Sequence, residues 1–220
     1  MRIGSVLGQK TGPRRPVPVL AEKNVFTLTA FMGIVRAGCF YVFLDAGQPA
    51  ERLNRILDTL QADLMIADKE SLSLAGPVSF SGEILPLEDL MSLPDDALNP
   101  GLLASIRRQS TDTDPLYGIF TSGSTGVPKG VVASHRSVID FIGHFTDLFH
   151  ITQDDIIGNQ APFDFDVSVK DIYSALKTGA TLEVIPKKLF SIPTGLLDTC
   201  VTGKSPRPYG LFPPCASSPP

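Results

Sequence analysis

The chain has 220 residues, 43% of them hydrophobic and 19% charged, enough for one core of ordinary size and unlike a disordered chain. Its formal net charge of −4 supplies no basic stripe for a nucleic-acid backbone, and its three cysteines, Cys39, Cys200 and Cys215, have no metal-ligand spacing. Residues 1–10 hold no signal-peptide core and no apolar run is long enough to span a bilayer, so the expected setting is reducing and cytoplasmic, with no nucleic acid, membrane or bound transition metal.

In chain order, residues 24–38 predict a buried helix, with Val25, Leu28, Met32 and Val35 at spacings of three and four and Gly38 as its stop. Residues 40–44 predict an aromatic and β-branched strand. Pro49 suits the start of a helix whose inner face is Leu53, Ile56, Leu57 and Leu60, and residues 64–67 predict a second short strand. Residues 71–114 are irregular, with one strand expected near Ile84 and a short helix over 102–107. Strands are then expected at 116–121 and 130–133, and Ser134 is a candidate N-cap for a helix over 135–149 with Val138, Ile142, Phe145 and Phe149 as its apolar stripe. Strand 156–160, helix 167–177 and strand 181–185 complete the series. Alternating strands and helices predict an α/β fold with a largely parallel sheet.

Between two of these strands lies Thr121-Ser-Gly-Ser-Thr-Gly-Val-Pro-Lys-Gly130, with three glycines, four hydroxyls and one lysine. Glycines let the backbone approach a ligand closely, successive N–H groups can converge on one anion, and hydroxyls and a lysine add donors and charge. The ligand such a set suits best is a polyphosphate, with Thr121, Ser122, Gly123, Ser124, Thr125, Gly126 and Lys129 as candidate contacts. A Walker A loop is excluded: the Gly203-Lys204-Ser205 triplet has Asp198 where that motif requires glycine.

With Phe120 in front of it, this segment resembles the signature of the AMP-binding, adenylate-forming superfamily, which includes acyl-CoA synthetases, luciferases and the amino-acid adenylation domains of nonribosomal peptide synthetases. The resemblance implies an α/β large subdomain, present in part, and a loop that holds ATP while a carboxylate attacks the α-phosphorus. The implied cofactors are ATP and Mg2+, with magnesium held mainly by phosphates and no dedicated metal ligands in the chain. No residue of the chain is assigned as catalytic. Residues 35–45, Val-Arg-Ala-Gly-Cys-Phe-Tyr-Val-Phe-Leu-Asp, are similar to a family strand motif, with Phe43 where proline is usual, and Pro49-Ala-Glu-Arg-Leu53 follows as in adenylation domains.

Residues 161–173, Ala-Pro-Phe-Asp-Phe-Asp-Val-Ser-Val-Lys-Asp-Ile-Tyr, resemble the Phe-Asp-x-Ser motif of amino-acid adenylation domains and D-alanine ligases. The resemblance assigns Asp166 to the substrate's α-ammonium group, since a partly desolvated carboxylate gains most from a cationic partner and discriminates against substrates lacking one. Read without it, Asp166 or Asp164 is an N-cap of the helix beginning near Val167. Phe165, Val167 and Lys170 fall at substrate-lining positions; Phe165 could instead be a core aromatic. An inward Lys170 would suit an acidic or polar substrate side chain, and an outward one would carry no information. His135 reads as a helix-start residue without catalytic duty.

The resemblance runs over about residues 15–197, part of the family's domain, and lacks the family's later adenine, ribose and lysine motifs. The expected organisation is a partial adenylation domain over 1–198 and a tail over 199–220 that is disordered or frameshifted: residues 201–220 hold six prolines and no periodicity, and one base restored at Thr199 permits a helix, turn and strand reading. The expected activity is ATP-dependent activation of an amino acid as its adenylate for loading onto the phosphopantetheine thiol of a carrier protein, with this chain a fragment inactive by itself. The alternatives are an acyl- or aryl-CoA ligase fragment and a nonfunctional truncated product.

Overall fold

The computed structural model describes residues 1–121 and 128–186. The chain divides into two compact units, Met1–Ser137 and Val138–Pro220. The elements of the first are α1 (Arg2–Lys10), β1 (Pro16–Leu20), α2 (Val25–Arg36), β2 (Phe40–Leu44), α3 (Ala50–Leu60), β3 (Leu64–Ala67), α4 (Lys69–Ala75), β4 (Glu83–Pro86), α5 (Leu87–Met91), a 3-10 turn (Asp95–Ala97), α6 (Pro100–Gln109), β5 (Pro115–Thr121) and β6 (Lys129–Ser134). Its six-stranded sheet has the order β4-β3-β1-β2-β5-β6, parallel throughout except for the antiparallel pair β5–β6. This is the expected α/β fold with a largely parallel sheet.

The strand at the centre of that sheet, β1, is absent from the sequence-based expectation, because Pro16 and Pro18 argue against a central strand. The hydrogen bonds explain why they are tolerated. Phe40 N–H donates to the Arg15 carbonyl at 3.1 Å and Asp68 N–H donates to the Leu20 carbonyl at 3.2 Å. Odd-numbered residues of β1 therefore bond toward β2 and even-numbered ones toward β3. The N–H groups that Pro16 and Pro18 lack would face β3, and β3 pairs only with Val19 and Leu20.

Helix α1 was also not expected; it is short and interrupted by glycines. It packs closely on α2, where a Cβ on Gly33 would overlap the Ile3 side chain. Helices α4 and α5 likewise emerge from the stretch read as irregular, capped in α4 by the Asp68 carboxylate, which accepts from Ser71 N–H at 2.6 Å.

Helix α2 starts where Asn24 accepts from Thr27 N–H at 3.0 Å. It ends in a Schellman motif: Gly38 N–H donates to Val35 and Cys39 N–H to Ile34, with Gly38 at φ +73°. Its buried face is Thr27, Ala30, Phe31 and Ile34, not the expected Val25 stripe, and Val25 is 61% exposed. The helix is apolar nearly all round, so periodicity could not select the face; the Phe31 ring stacks on Tyr41 of β2 at 4.1 Å and does so.

All five residues of β2 are buried, and Leu53, Ile56 and Leu57 of α3 join Leu44, Met65 and Ala67 in one core cluster. Cys39 is buried, and burial pushes its thiol up to about 11, as suits an inert core cysteine. At the far edge, β6 leaves Val131 and Val132 each 54% exposed.

The second unit contains most of α7 (His135–Leu148), then β7 (Ile156–Asn159), α8 (Val167–Thr178) and β8 (Thr181–Val184), with β7 and β8 parallel. Its core is Ile151, Ile157 and Ala175, packed against Phe145, Ala180 and Leu182. Along α7, Val138 and Ile142 are buried as expected, but Phe149 is exposed and Thr146 takes the inner position instead. Ser134 Oγ accepts from Ser137 N–H at 3.3 Å, the capping bond expected of it. No helix among the described residues is long and apolar enough to cross a membrane.

Two glycine substitutions separate packing from propensity. Gly143→Ala, in α7 with open space around the new Cβ, should raise the unfolding free energy by about 0.5–1 kcal/mol. Gly33→Ala should lower it despite the better helix propensity, because the α1–α2 contact has no room. Urea titration of both variants checks the opposite signs.

Candidate functional site

The candidate site in the first unit is the β5–β6 hairpin. Its strands pair in antiparallel register from Pro115↔Ser134 to Thr121↔Lys129. Ser122, Gly123, Ser124, Thr125 and Gly126 lie outside the described residues; Thr121 and Lys129 face each other at the mouth of the hairpin, and both are exposed. Among the described residues Lys129 makes no ion pair. An exposed hydroxyl and an exposed lysine where strands β5 and β6 meet the Gly/Ser/Thr segment are chemically suited to polyphosphate.

The rest of the hairpin is a rigid support for that loop. Opposite Phe120 stands Gly130, and a Cβ there would lie 3.0 Å from the Phe120 ring, so the ring lies over a bare backbone. Arg52 of α3 donates to the Phe120 carbonyl at 3.1 Å and to Gln48 Oε1 at 2.9 Å, which ties the end of β5 to the helix beside it. Sequence reasoning passed over Arg52 as part of Pro49-Ala-Glu-Arg-Leu53; a partly buried arginine in an amphipathic helix was the available signal.

The opposite end of the hairpin is clamped. His135 N–H donates to the Asp114 carbonyl at 3.0 Å, and Arg136 makes two bonds to the Asp112 carboxylate, at 2.9 and 2.8 Å. The Asp114 carboxylate accepts from Arg14 at 2.7 Å and from the N–H and hydroxyl of Thr111, each at 2.9 Å. The Arg14 guanidinium foremost, with those Thr111 donors, holds the Asp114 carboxyl at about 2. Burial pushes the His135 imidazole below its usual value, against the opposing pull of Asp114 and Asp112.

A separate candidate site, in the second unit, is the turn from β7 into α8. Phe163 is buried and is the core aromatic of this segment, whereas Phe165 is 57% exposed. Asp166 occupies the N-cap position of α8, but its carboxylate makes no capping hydrogen bond, and it is exposed. The first-turn donors are served otherwise: Ser168 N–H donates to Phe165 O at 3.1 Å and Val169 N–H to Asp166 O at 3.0 Å. Val167 is half-buried.

Lys170 neither points freely into a pocket nor lies in solvent. Its ammonium is paired with Asp171 and sits 5.8 Å from the centroid of the Phe145 ring. Asn159, at the end of β7, donates to Asp171 Oδ2 at 3.2 Å and to Ser168 O at 3.3 Å. Asn159 and Asp171 are polar residues that sequence reasoning missed; Asp171 lies on the inner face of α8 with Ser168 and Ala175, a position visible in the helical spacing. No group of three or more His, Cys, Asp or Glu residues able to hold a metal occurs among the described residues.

Residues 1–204 match the AMP-binding enzyme family. The chain belongs to that family. The match starts ahead of residue 15, where the motif resemblance begins. Surfactin synthase subunit 1 of Bacillus subtilis (strain 168) is 37% identical over 190 residues, covering 85% of this chain and 5% of the relative. D-alanine–D-alanyl carrier protein ligase of Staphylococcus aureus (strain MRSA252) is 32% identical over 184 residues, covering 83% of this chain and 35% of the relative. Among solved structures, the nonribosomal peptide synthetase FmoA3 in its α-methyl-L-serine-AMP-bound form aligns with a TM-score of 0.72 at 28% identity, covering 84% of this chain and 20% of that one. The chain thus spans about a third or less of the length of these AMP-binding relatives, and its fold is that of part of an adenylate-forming enzyme.

The clamp on the hairpin has a measurable pH signature. The ordinary aspartate value is about 3.9. A depressed carboxyl stabilises the fold above that pH, and the contribution is lost as pH falls through its folded value of about 2. The Asp114 carboxyl 13C resonance should titrate near 2 in the native chain, and Arg14→Ala should move its midpoint upward toward the ordinary value.

Proposed function

We propose that this chain is part of an amino-acid adenylation domain, acting in the reaction of ATP and an amino acid to give an aminoacyl-adenylate and pyrophosphate. The substrate carboxylate oxygen bonds to the α-phosphorus as the bond from that phosphorus to the departing pyrophosphate breaks. Bound ATP supplies the electrophilic phosphorus, and Mg2+ neutralises phosphate charge. The chain's own contribution is placement and charge, on which phosphoryl chemistry chiefly depends. Residues 121–126 and Lys129 hold phosphate oxygens; Asp166 holds the α-ammonium group; Phe165 and Val167 line the approach to it, while Lys170, expected beside them, is paired with Asp171. The product is then transferred to the phosphopantetheine thiol of a carrier protein, in the cytoplasm.

The observation that carries this reading is the Asp166 carboxylate: it stands at a helix cap position, exposed, without a capping bond. A purely structural N-cap aspartate would accept from the second or third N–H of the helix. The exposed Phe165 beside it is also available to a ligand. The relatives favour the amino-acid branch over an acyl- or aryl-CoA ligase: one is named for joining D-alanine to a carrier protein, and the FmoA3 structure is described with an amino-acid adenylate. By the same reading, residues 1–198 are a partial domain and the chain alone is inactive; the tail expected over 199–220 lies outside the described residues.

Asp166→Ala, in a protein that continues the chain through a whole adenylation domain, should reduce kcat/KM for the amino acid about tenfold to hundredfold in ATP–pyrophosphate exchange, the effect of losing one charged hydrogen bond. The KM for ATP should not move. Unchanged amino-acid dependence would reject the ammonium role. The 220-residue chain assayed alone should show no exchange, and robust exchange would overturn its reading as an inactive fragment.

A further inference from the structure

The turn that presents Asp166 is held by backbone bonds: Phe165 N–H donates to Pro162 O, Ser168 N–H to Phe165 O and Val169 N–H to Asp166 O. Its N-cap side chain makes no capping bond, and Phe165, whose carbonyl receives the Ser168 hydroxyl at 2.7 Å, is exposed. Directly behind it lies a set of buried polar groups. Asn159 is 0% exposed and Asp171 is 2% exposed. One amide group, Asn159 Nδ2, reaches both the backbone carbonyl of Ser168 in the first turn and the carboxylate of Asp171 in the second, at 3.3 and 3.2 Å. The other oxygen of that carboxylate receives Lys170, whose ammonium lies near the Phe145 ring.

Such a cluster is a poor way to gain stability. Burying a carboxylate and an ammonium costs their hydration, and well-packed apolar residues of similar volume often serve as well or better. What the cluster does supply is direction. An apolar contact is tolerant of a small rotation or slide of α8, whereas an amide that bridges two turns of the helix from the end of a strand permits one helix position. The bridged turn is the one from which Asp166 and Val167 project.

We propose that Asn159 and Asp171, with Lys170 as the counter-ion, are positioning residues that hold the first turn of α8 in place for substrate binding. Lys170 is thereby committed to the cluster, and its charge serves Asp171 before it can serve a substrate. The functional meaning of the inference rests on the ammonium-binding reading of Asp166, but the positional link is tested independently of it.

The test is amide hydrogen exchange on the 220-residue chain, resolved to the first turn of α8 and to β8, together with the thermal midpoint. Asn159→Leu should speed exchange at Ser168 and Val169 by about tenfold, the factor one lost hydrogen bond is worth, and leave β8 unchanged. Lys170→Arg, which keeps a cation on Asp171, should keep the turn slow. The triple variant Asn159→Leu/Lys170→Leu/Asp171→Leu, which leaves no buried charge without its partner, should recover the midpoint toward wild type while the first turn stays fast, since apolar packing replaces the stability and not the direction. A first turn unaffected by Asn159→Leu, or restored in step with the midpoint in the triple variant, overturns the inference. Failure of the Asp166 test alone would remove the ammonium reading and leave these exchange results as they are.

Discussion

Strand β1 is hydrogen-bonded on both sides, and the first unit is organised around that fact. Its odd-numbered residues bond to β2 along the whole register from Pro16↔Phe40 to Leu20↔Leu44, while Val19 and Leu20 alone meet β3. The two prolines fall on the side and at the end where no partner is required. Were either shifted by one residue, it would remove a donor from the β1–β2 ladder. Through β2 the constraint extends to β5, which pairs at Tyr41↔Tyr117 and Val42↔Gly118, and through β5 to the hairpin that carries the loop.

The β5–β6 hairpin is supported at both ends. Its base is closed by Asp112, Asp114, Arg14 and Arg136, and its upper end by Arg52 and by the Phe120 ring over Gly130. Such supports suit the phosphate binding proposed above, because the strands that lead to the ligand must not move when it arrives. Exposed ion pairs contribute little to stability by themselves, so the bidentate geometry of Arg136 on Asp112 matters more as a constraint on direction than as energy.

In the second unit the supports are different. The apolar core of Ile151, Ile157 and Ala175 is small, and polar groups complete the packing of α8. Asn159 and Lys170 both donate to the Asp171 carboxylate, while the Asp166 carboxylate at the start of the helix is left exposed and without a capping bond.

Much of this was legible from local pattern. The continuous aromatic and β-branched run Phe40–Leu44, bounded by Gly38 and Asp45, specifies β2, and Leu53, Ile56 and Leu57 specify the inner face of α3, because side-chain spacing follows directly from backbone geometry. The order of residues 120–130 points to the family. Other features were settled only by neighbours distant in sequence. Pro16 and Pro18 deny β1 any local strand signal, and only the position of β3 makes them harmless. Helix α2 is apolar on every side, and only the Phe31–Tyr41 stack chooses its buried face. Lys170 could have faced a ligand or the solvent; a buried carboxylate one residue away and an asparagine from another element claim it instead. The sequence by itself determined most of the elements after β1 and the family they belong to, since both depend on spacing along the chain. The tertiary structure decided which faces are buried and which charges are committed, since those depend on what packing brings within hydrogen-bond reach.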